Sequence, residues 1–289
     1  MSRRRPLQTV FRIRQRLIFS LEASRMNRSE QLKYLNQVLL SEMPQYREQA
    51  EAFPGDEASQ RRLLRALMNV RPPLPLSPGF LEVQDALLSA EMEEKGVVDG
   101  NALPPVPSDP RLVIWQGDIT RLRVDAIVDA DNSALLGCFV PCHGCIDNAI
   151  HSAAGLQLRD ECNQLMAAQG RPEPNGRAKL TKGYNLPARY VLHTVGPIVR
   201  GRVTGQNRSD LASCYRSCME LAAAHELQSV AFCCISTGEF RFPNREAAEI
   251  AVKTVREFLD RQTTSVKRVI FNVFKGIDAQ IYRDILQSD

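Results

Sequence analysis

The sequence has no apolar run of 18 or more residues, and its net charge at pH 7 is only +4 over 289 residues. A transmembrane helix needs about 20 consecutive apolar residues, so no membrane span is predicted. The small and dispersed positive charge does not indicate a nucleic-acid partner. A hydrophobic fraction of 44% is ordinary for a globular protein and is enough to bury a core.

Densely and regularly spaced cysteines, which would indicate a disulfide framework, are also missing, although the chain has eight cysteines. We therefore expect a reducing compartment, the cytoplasm. The first 20 residues contain six arginines, which run through the place where a secretory signal would have its apolar core. We predict a flexible basic segment over residues 1–26, with a mitochondrial transit segment as the alternative.

Three of the cysteines lie close together in residues 137–151, which read GCFVPCHGCIDNAIH. Thiolate and imidazole are ligands that zinc prefers in proteins. Four side chains of this segment could reach one ion: Cys138, Cys142, His143 and Cys145. Four ligands would make a closed structural site, whereas three would leave a position open for water or substrate. The number of ligands therefore separates an enzyme from a structural zinc site.

The chain divides into a helical part and an α/β part. Leucines recur at helical spacing through residues 27–98, where Asn27 and Glu30 predict the cap of the first helix. Residues 99–110, DGNALPPVPSDP, have the proline and glycine content of a linker. From residue 111 to residue 289, continuous apolar segments alternate with helical ones. This alternation predicts an α/β domain with a sheet buried between helical layers.

The predicted strands read LVIWQG, DAIVDA, RYVLHTVG, SVAFCCIS and RVIFNVF, and one helix is predicted from about residue 145 to residue 166. Ligands of such sheets bind outside the carboxyl ends of the strands. The cysteine-rich segment follows DAIVDA, and STGEFRFP (236–243) lies at the end of SVAFCCIS. We therefore expect both loops to face the same cleft.

Five motifs occur in order along the α/β part: GDIT (117–120), VDAIV (124–128) followed by an Asn-Ser pair, DNAIHSAAG (147–155), GRAKLTKGYNLPARYVLHTVGP (176–197) and STGEFRFP (236–243). Together they resemble the macrodomain family over about residues 111–289. The resemblance implies a three-layer α/β/α fold with a mixed central sheet. It also implies binding of ADP-ribose and hydrolysis of mono-ADP-ribose from modified proteins.

Ordinary macrodomains carry a glycine-rich stretch where this chain has CFVPCHGC (138–145). This replacement, together with the helical extension 27–98, is similar to the zinc-dependent macrodomains of microbes, which are often associated with sirtuin-type ADP-ribosyltransferases. The resemblance thus implies a zinc cofactor and a sirtuin-type partner. Its C-x-x-x-x-H-x-C pattern implies Cys138, His143 and Cys145 as ligands with one open position. A structural site that includes Cys142 is the alternative.

The resemblance also implies the residues that hold ADP-ribose. Asp118 would accept a hydrogen bond from the adenine amino group, with the backbone of Ile119 beside it; a turn or cap aspartate is the alternative. A small-residue loop that enters a helix would present backbone N–H groups to the diphosphate, and Phe240 within it would lie against the distal ribose. The residues of this loop are Ser236, Thr237, Gly238, Glu239 and Phe240.

Asn132 and Asp147 are the residues that the resemblance implies to be catalytic. Asn132 would contact the hydroxyls of the distal ribose, and Asp147 would assist proton transfer beside an activated water. The alternative for Asp147 is a first-turn carboxylate that the helix dipole favours. His151 lies four residues later on the same helical face and is predicted to be structural.

The chain departs from the family where N-A-A-N-S is usual and reads Asp-Ala-Asp-Asn-Ser (129–133). Ionised Asp129 and Asp131 would only accept hydrogen bonds, and they would add negative charge near an anionic ligand. We therefore expect weaker ADP-ribose binding or an altered site.

The sequence thus predicts a zinc-dependent hydrolase that releases ADP-ribose from mono-ADP-ribosylated proteins. Two alternatives stay open. One is a reader module that binds ADP-ribose around a structural zinc, and the other is a deacetylase of O-acetyl-ADP-ribose.

Overall fold

The computed structural model describes residues 26–261 and 263–287. The predicted basic segment 1–26, with the transit interpretation attached to it, lies outside the described residues apart from Met26. Among the described helices, none combines the length and the apolar character that crossing a membrane requires.

The N-terminal extension is helical, as the leucine spacing predicts. Its α-helices are α1 (Arg28–Glu42), α2 (Arg47–Glu51), α3 (Glu57–Val70) and α4 (Pro78–Lys95), with a 3-10 turn at Pro44–Tyr46. Asn27 and Glu30 form the predicted capping box at the start of α1. Leu35, Leu64 and Leu87 are fully buried in the core of the extension, which Leu156 from the α/β part also joins.

Six strands form the central sheet in the spatial order β2-β8-β7-β4-β6-β5. Their bounds are β2 (Leu112–Gln116), β4 (Ala126–Ala130), β5 (Ala178–Lys182), β6 (Tyr190–Thr194), β7 (Ser229–Phe232) and β8 (Arg268–Val273). A separate parallel pair joins β1 (Val98–Asp99) to β3 (Leu122–Arg123). The five predicted apolar segments are all strands of the sheet, although β7 ends before the cysteine pair of SVAFCCIS.

Strand β5 runs antiparallel to its neighbour, at the edge of an otherwise parallel sheet. Helices from the same part of the chain flank the sheet and share one hydrophobic core with it. They are α5 (Ile146–Ala154), α6 (Leu156–Gln169), α7 (Gly205–Ala224), α8 (Asn244–Arg261) and α9 (Gly276–Gln287). The predicted α/β class, with a mixed sheet and flanking helices, is confirmed.

The single helix predicted over about residues 145–166 is wrong in one respect, because the chain forms α5 and α6 instead. Gly155 between them has a φ of +96°, a left-handed conformation that glycine adopts without a Cβ clash. The apolar periodicity continues through this break, which is why the pattern reads as one helix.

The topology of the sheet determines where a ligand site would lie. Because β2, β4, β6, β7 and β8 are parallel, their carboxyl ends meet at one edge, where ligands of such sheets bind. The boundaries predicted at residues 98/99 and 110/111 stay predictions; β1 extends across the first of them.

Candidate active site

The segment between β4 and α5 (residues 137–145, here called the metal loop) brings three predicted ligands together. One donor atom each of Cys138, His143 and Cys145 lies within 4.8 Å of the others, and all three residues are half-buried. Zinc ligands lie about 2.0–2.3 Å from the ion. The three donor atoms would therefore need to move only slightly closer together to bind one cation. The imidazole Nδ1 of His143 is buried without a hydrogen-bond partner among the described residues. The donor set therefore fits the zinc that the resemblance implies.

Cys142, the fourth candidate, lies apart from this set. Its φ is +53°, and its backbone N–H donates to Oδ1 of Asn69 at 2.9 Å. Its Sγ lies 3.6 Å from the carbonyl oxygen of Arg62 on α3. The cysteine is thus directed to the extension and not to the three gathered donors.

Helix α3 supports the metal loop from the side of the extension. The guanidinium of Arg65 donates to the carbonyl oxygen of His143 at 3.1 Å and to Oδ1 of Asn148 at 2.7 Å. The other end of the Asn148 amide donates to the carbonyl oxygen of Val140 at 3.0 Å. Sequence reasoning missed these contacts of Arg65.

Cys145 is also the N-cap of α5, where its Sγ accepts from the backbone N–H of Asn148 at 3.4 Å. A thiolate is favoured in this position by the helix dipole. Without a cation, burial raises the pKa of Cys145 to about 12, and the neighbouring thiol of Cys138 acts in the same direction. A bound divalent cation reverses that preference, because a coordinating thiol is deprotonated.

The two predicted catalytic residues contact each other. Nδ2 of Asn132 lies 3.4 Å from Oδ2 of Asp147 and 3.3 Å from the carbonyl oxygen of Gly137. Asp147 is in the first turn of α5 and is 4% exposed, whereas Asn132 is exposed. Burial, followed by the nearby carboxylate of Asp131, raises the pKa of Asp147 well above its usual range. Asn132 therefore joins the metal loop and Asp147 at the mouth of the cleft.

Asp118 follows β2 and caps the 3-10 turn Ile119–Arg121. Its Oδ1 accepts from the backbone N–H of Thr120 at 3.0 Å and from the Thr120 hydroxyl at 2.7 Å. The cap role that was the alternative for Asp118 is therefore present, and both bonds use the same carboxylate oxygen. Ile119 is buried in the core beside it.

The loop predicted for the diphosphate is built from turns and leads into α8, which begins at Asn244. Ser236 has a φ of +64°, and its hydroxyl is buried without a partner among the described residues. The hydroxyl of Thr237 donates to the carbonyl oxygen of Cys234 at 3.0 Å. Gly238 and Glu239 are exposed, and Phe240 is half-buried.

This loop and the metal loop lie side by side. Nε2 of His143 is 3.9 Å from Oε1 of Glu239, whose side chain is largely exposed. The predicted ligand loop, the metal loop and the Asn132–Asp147 pair thus share the carboxyl edge of the sheet.

Asp129 and Asp131 are buried and not exposed in the cleft, and the expectation that they weaken ADP-ribose binding or alter the site stays a prediction. Their exposures are 0% and 1%, because both side chains enter the layer under α5. Asp129 is paired in register with His193 of β6, and Oδ2 of Asp131 lies 2.7 Å from Nδ1 of the same histidine. Burial raises the pKa of Asp131 to about 7 and that of Asp129 well above its usual range.

A residue that sequence reasoning missed stands at the end of β8. Phe274 is 76% exposed, and its carbonyl oxygen accepts from Nε2 of Gln116 at 3.4 Å. Gly117, next to Asp118, donates to the carbonyl oxygen of Val273 at 3.0 Å. A large exposed aromatic ring therefore stands beside the residue predicted to bind adenine.

Comparison with known proteins gives consistent results. The family description "Macro domain" matches residues 128–251. A protein named protein-ADP-ribose hydrolase from Treponema medium is 46% identical over 263 residues, which cover 90% of this chain and 100% of that protein. A protein of the same name from Staphylococcus aureus strain Mu50 is 52% identical over 228 residues, which cover 78% of this chain and 85% of that protein.

Solved structures show the same likeness. The Trypanosoma brucei macrodomain in complex with ADP-ribose is 32% identical with a TM-score of 0.60, covering 76% of this chain and 94% of that one. The Oceanobacillus iheyensis macrodomain with ADP is 36% identical with a TM-score of 0.55, covering 61% of this chain and 89% of that one. Similarity over the full length of a relative, with the fold and cleft described above, shows that the chain belongs to the macrodomain family.

Proposed function

We propose that this protein is a zinc-dependent hydrolase that removes mono-ADP-ribose from modified proteins and releases ADP-ribose. The observation that carries the proposal is the contact of Asn132 with Asp147 beside the three donors of the metal loop. Relatives that are named protein-ADP-ribose hydrolase and cover most of this chain support the same activity.

Residues of this chain would bind different parts of the substrate along the cleft. Asp118 and Phe274 would hold the adenine, and the backbone of the Ser236–Phe240 loop would hold the diphosphate. Asn132 would fix the hydroxyls of the distal ribose. Asp147 would accept a proton from the water that adds at C1″ as the bond from C1″ to the protein side chain breaks. The products are ADP-ribose and the unmodified side chain.

Cys138, His143 and Cys145 would hold the zinc, with one coordination position left for a ligand. When bound, zinc supplies a Lewis acid that polarises an oxygen of the ribose or of water. The position of Cys142 against Arg62 supports three protein ligands over four, and so favours an enzyme over a reader with a structural zinc.

The test is release of ADP-ribose from a mono-ADP-ribosylated protein, measured together with zinc content. We expect Cys145→Ser to lose the zinc of the metal loop and, with it, turnover. Cys142→Ser is the matched control from the same loop and should keep both. Full turnover by a Cys145→Ser variant that has lost the zinc of the metal loop would contradict the role of zinc, and absence of turnover in the zinc-loaded natural protein would contradict the hydrolase.

Hydrolysis of O-acetyl-ADP-ribose would use the same cleft, so it belongs in the same assay as a second substrate. Association with a sirtuin-type ADP-ribosyltransferase and a cytoplasmic location stay predictions from the sequence.

A further inference from the structure

Four ionisable side chains meet inside the fold, beneath the cleft. Asp129 and Asp131 come from the end of β4 and the residue after it, His193 from β6 and His151 from α5. Their exposures are 0%, 1%, 0% and 5%, respectively. One donor atom of each lies within 4.8 Å of the other three. We call these residues the buried cluster.

The buried cluster lacks most of the hydrogen bonds that its atoms need. Both carboxylate oxygens of Asp129 and both ring nitrogens of His151 are buried without a partner among the described residues. The separation of 4.0 Å between Oδ2 of Asp129 and Nε2 of His151 is too long for a hydrogen bond. Buried polar atoms are almost always paired, so unpaired atoms that converge on one point indicate a missing ligand.

Among the described residues, no arginine or lysine pairs with the two aspartates of the buried cluster, whose neighbours are the histidines. Burial disfavours the ionised form of both aspartates unless a cation lies beside them. The buried guanidinium of Arg159 instead donates to the carbonyl oxygens of Leu136, Met68 and Arg71. Asp147, with Oδ1 at 3.6 Å from Nε2 of His151, is a third buried acid beside the cluster. A divalent cation would neutralise the two aspartates.

The donor types select the class of cation. Two imidazoles with two carboxylates suit zinc and neighbouring divalent transition metals, whereas calcium and magnesium prefer oxygen ligands alone. The ring of His193 is held in orientation, because its Nε2 bonds the hydroxyl of Thr181 at 2.8 Å while its Nδ1 faces the cluster and lies 2.7 Å from Oδ2 of Asp131. Such outer contacts fix the ring of a metal-bound histidine.

We propose that the buried cluster is a second metal site, in which Asp129, Asp131, His151 and His193 bind a divalent transition cation such as zinc. The site is distinct from the metal loop and shares no ligand with it. Asp129 and Asp131 are the two departures from the usual N-A-A-N-S, so a chain with Asn and Ala there lacks both carboxylates. The departures then create a site in this protein.

The experiment is the zinc stoichiometry of the full-length protein after incubation with zinc and removal of unbound ion. We expect two equivalents in the natural protein and one in Asp129→Asn/Asp131→Ala. Cys145→Ser should also retain one equivalent, the buried one. Asp160→Asn, in α6 and outside both sites, should retain two. Circular dichroism checks that each variant is folded.

A crystal of the natural protein adds a measurement that needs no variant. Anomalous scattering at the zinc edge should give a peak among the four side chains of the buried cluster, separate from the peak at the metal loop. A single equivalent in the natural protein, two equivalents in the folded double variant, or no anomalous peak in the buried cluster would each overturn the proposal.

Discussion

Asp147 lies in the first turn of α5 and contacts Asn132. A substitution can therefore remove its carboxylate while the side chain keeps its position. Asp147→Asn keeps an oxygen near Asn132 but cannot accept the proton of the attacking water. We expect kcat to fall by roughly 10²- to 10⁴-fold, the usual contribution of general base catalysis. Zinc content and the affinity for ADP-ribose should stay close to those of the natural protein.

Asp160→Asn on α6 is the control, and its kcat should be unchanged. An Asp147→Asn variant with natural kcat would show that another group accepts the proton. A variant that loses zinc as well would show that Asp147 also supports a metal site.

Phe274 offers a second test, because its ring is 76% exposed beside the loop of Asp118. Stacking of a base on an aromatic side chain contributes about 1–3 kcal/mol by alanine substitution. Phe274→Ala should therefore weaken ADP-ribose binding roughly tenfold or more, measured by calorimetry, whereas Phe274→Tyr should retain most of the affinity. Equal affinity for the two variants would remove Phe274 from the adenine site.

Spacing predicted that donors of the metal loop could converge on one ion but left Cys142 as a fourth candidate, and the family resemblance implied the three side chains whose donor atoms the structure gathers. The surroundings of Asp129 and Asp131 were not predictable in the same way. Their position depends on the register that pairs Asp129 with His193 across two strands more than 60 residues apart in the chain. A sequence shows which residues alternate along a strand but not which layer covers each face.

At the scale of elements, the contact of α3 with the metal loop leads to a prediction about metal affinity. Arg65 donates to the backbone of His143, and residues that orient ligands typically contribute 10- to 100-fold to metal affinity. We expect Arg65→Ala to lower zinc affinity roughly tenfold and to reduce turnover at limiting zinc, with recovery when zinc is in excess. Competition with a chromogenic chelator measures the affinity.

Arg62→Ala is the control for Arg65→Ala, because Arg62 is exposed and lies on the same helix. Its zinc affinity should be natural. Natural affinity in Arg65→Ala would mean that the metal loop holds its shape without α3, and a loss that excess zinc does not recover would point to damage beyond the loop.

The elements themselves were largely predictable, for a physical reason. Buried parallel strands are continuous apolar runs, and each of the five runs became a strand of the sheet. The edge strand β5 was not predicted, because AKLTK carries two lysines and is only partly buried. The break at Gly155 was missed because a left-handed glycine interrupts the backbone without interrupting the apolar pattern.

Across the whole molecule, Arg159 joins the two parts of the chain. Its guanidinium donates to Met68 and Arg71 in the extension and to Leu136 in the α/β part, and it lies 4.4 Å from the centre of the Phe139 ring on the metal loop. Lysine has one nitrogen in place of this planar fork and cannot reach all three carbonyl groups. Arg159→Lys should cost about 2 kcal/mol and lower the Tm by roughly 4–8 °C in calorimetry.

Arg245→Lys is the control, since Arg245 forms a surface ion pair with Asp284 and should leave the Tm within about 1 °C. If both variants have the same Tm, the hydrogen bonds of Arg159 contribute little to the stability of the protein. The extension and the α/β part would then be stable independently.

The packing of α6 against the extension also affects how the chain folds during its synthesis. The extension leaves the ribosome first, yet its core includes Leu156, and the backbone N–H of that residue donates to Oε1 of Gln84 at 3.0 Å. The helical extension therefore cannot complete its packing until α6 has been synthesised. During translation the apolar face of the extension stays exposed until a segment from the middle of the chain has been synthesised. We expect chaperones to bind the nascent protein during this time.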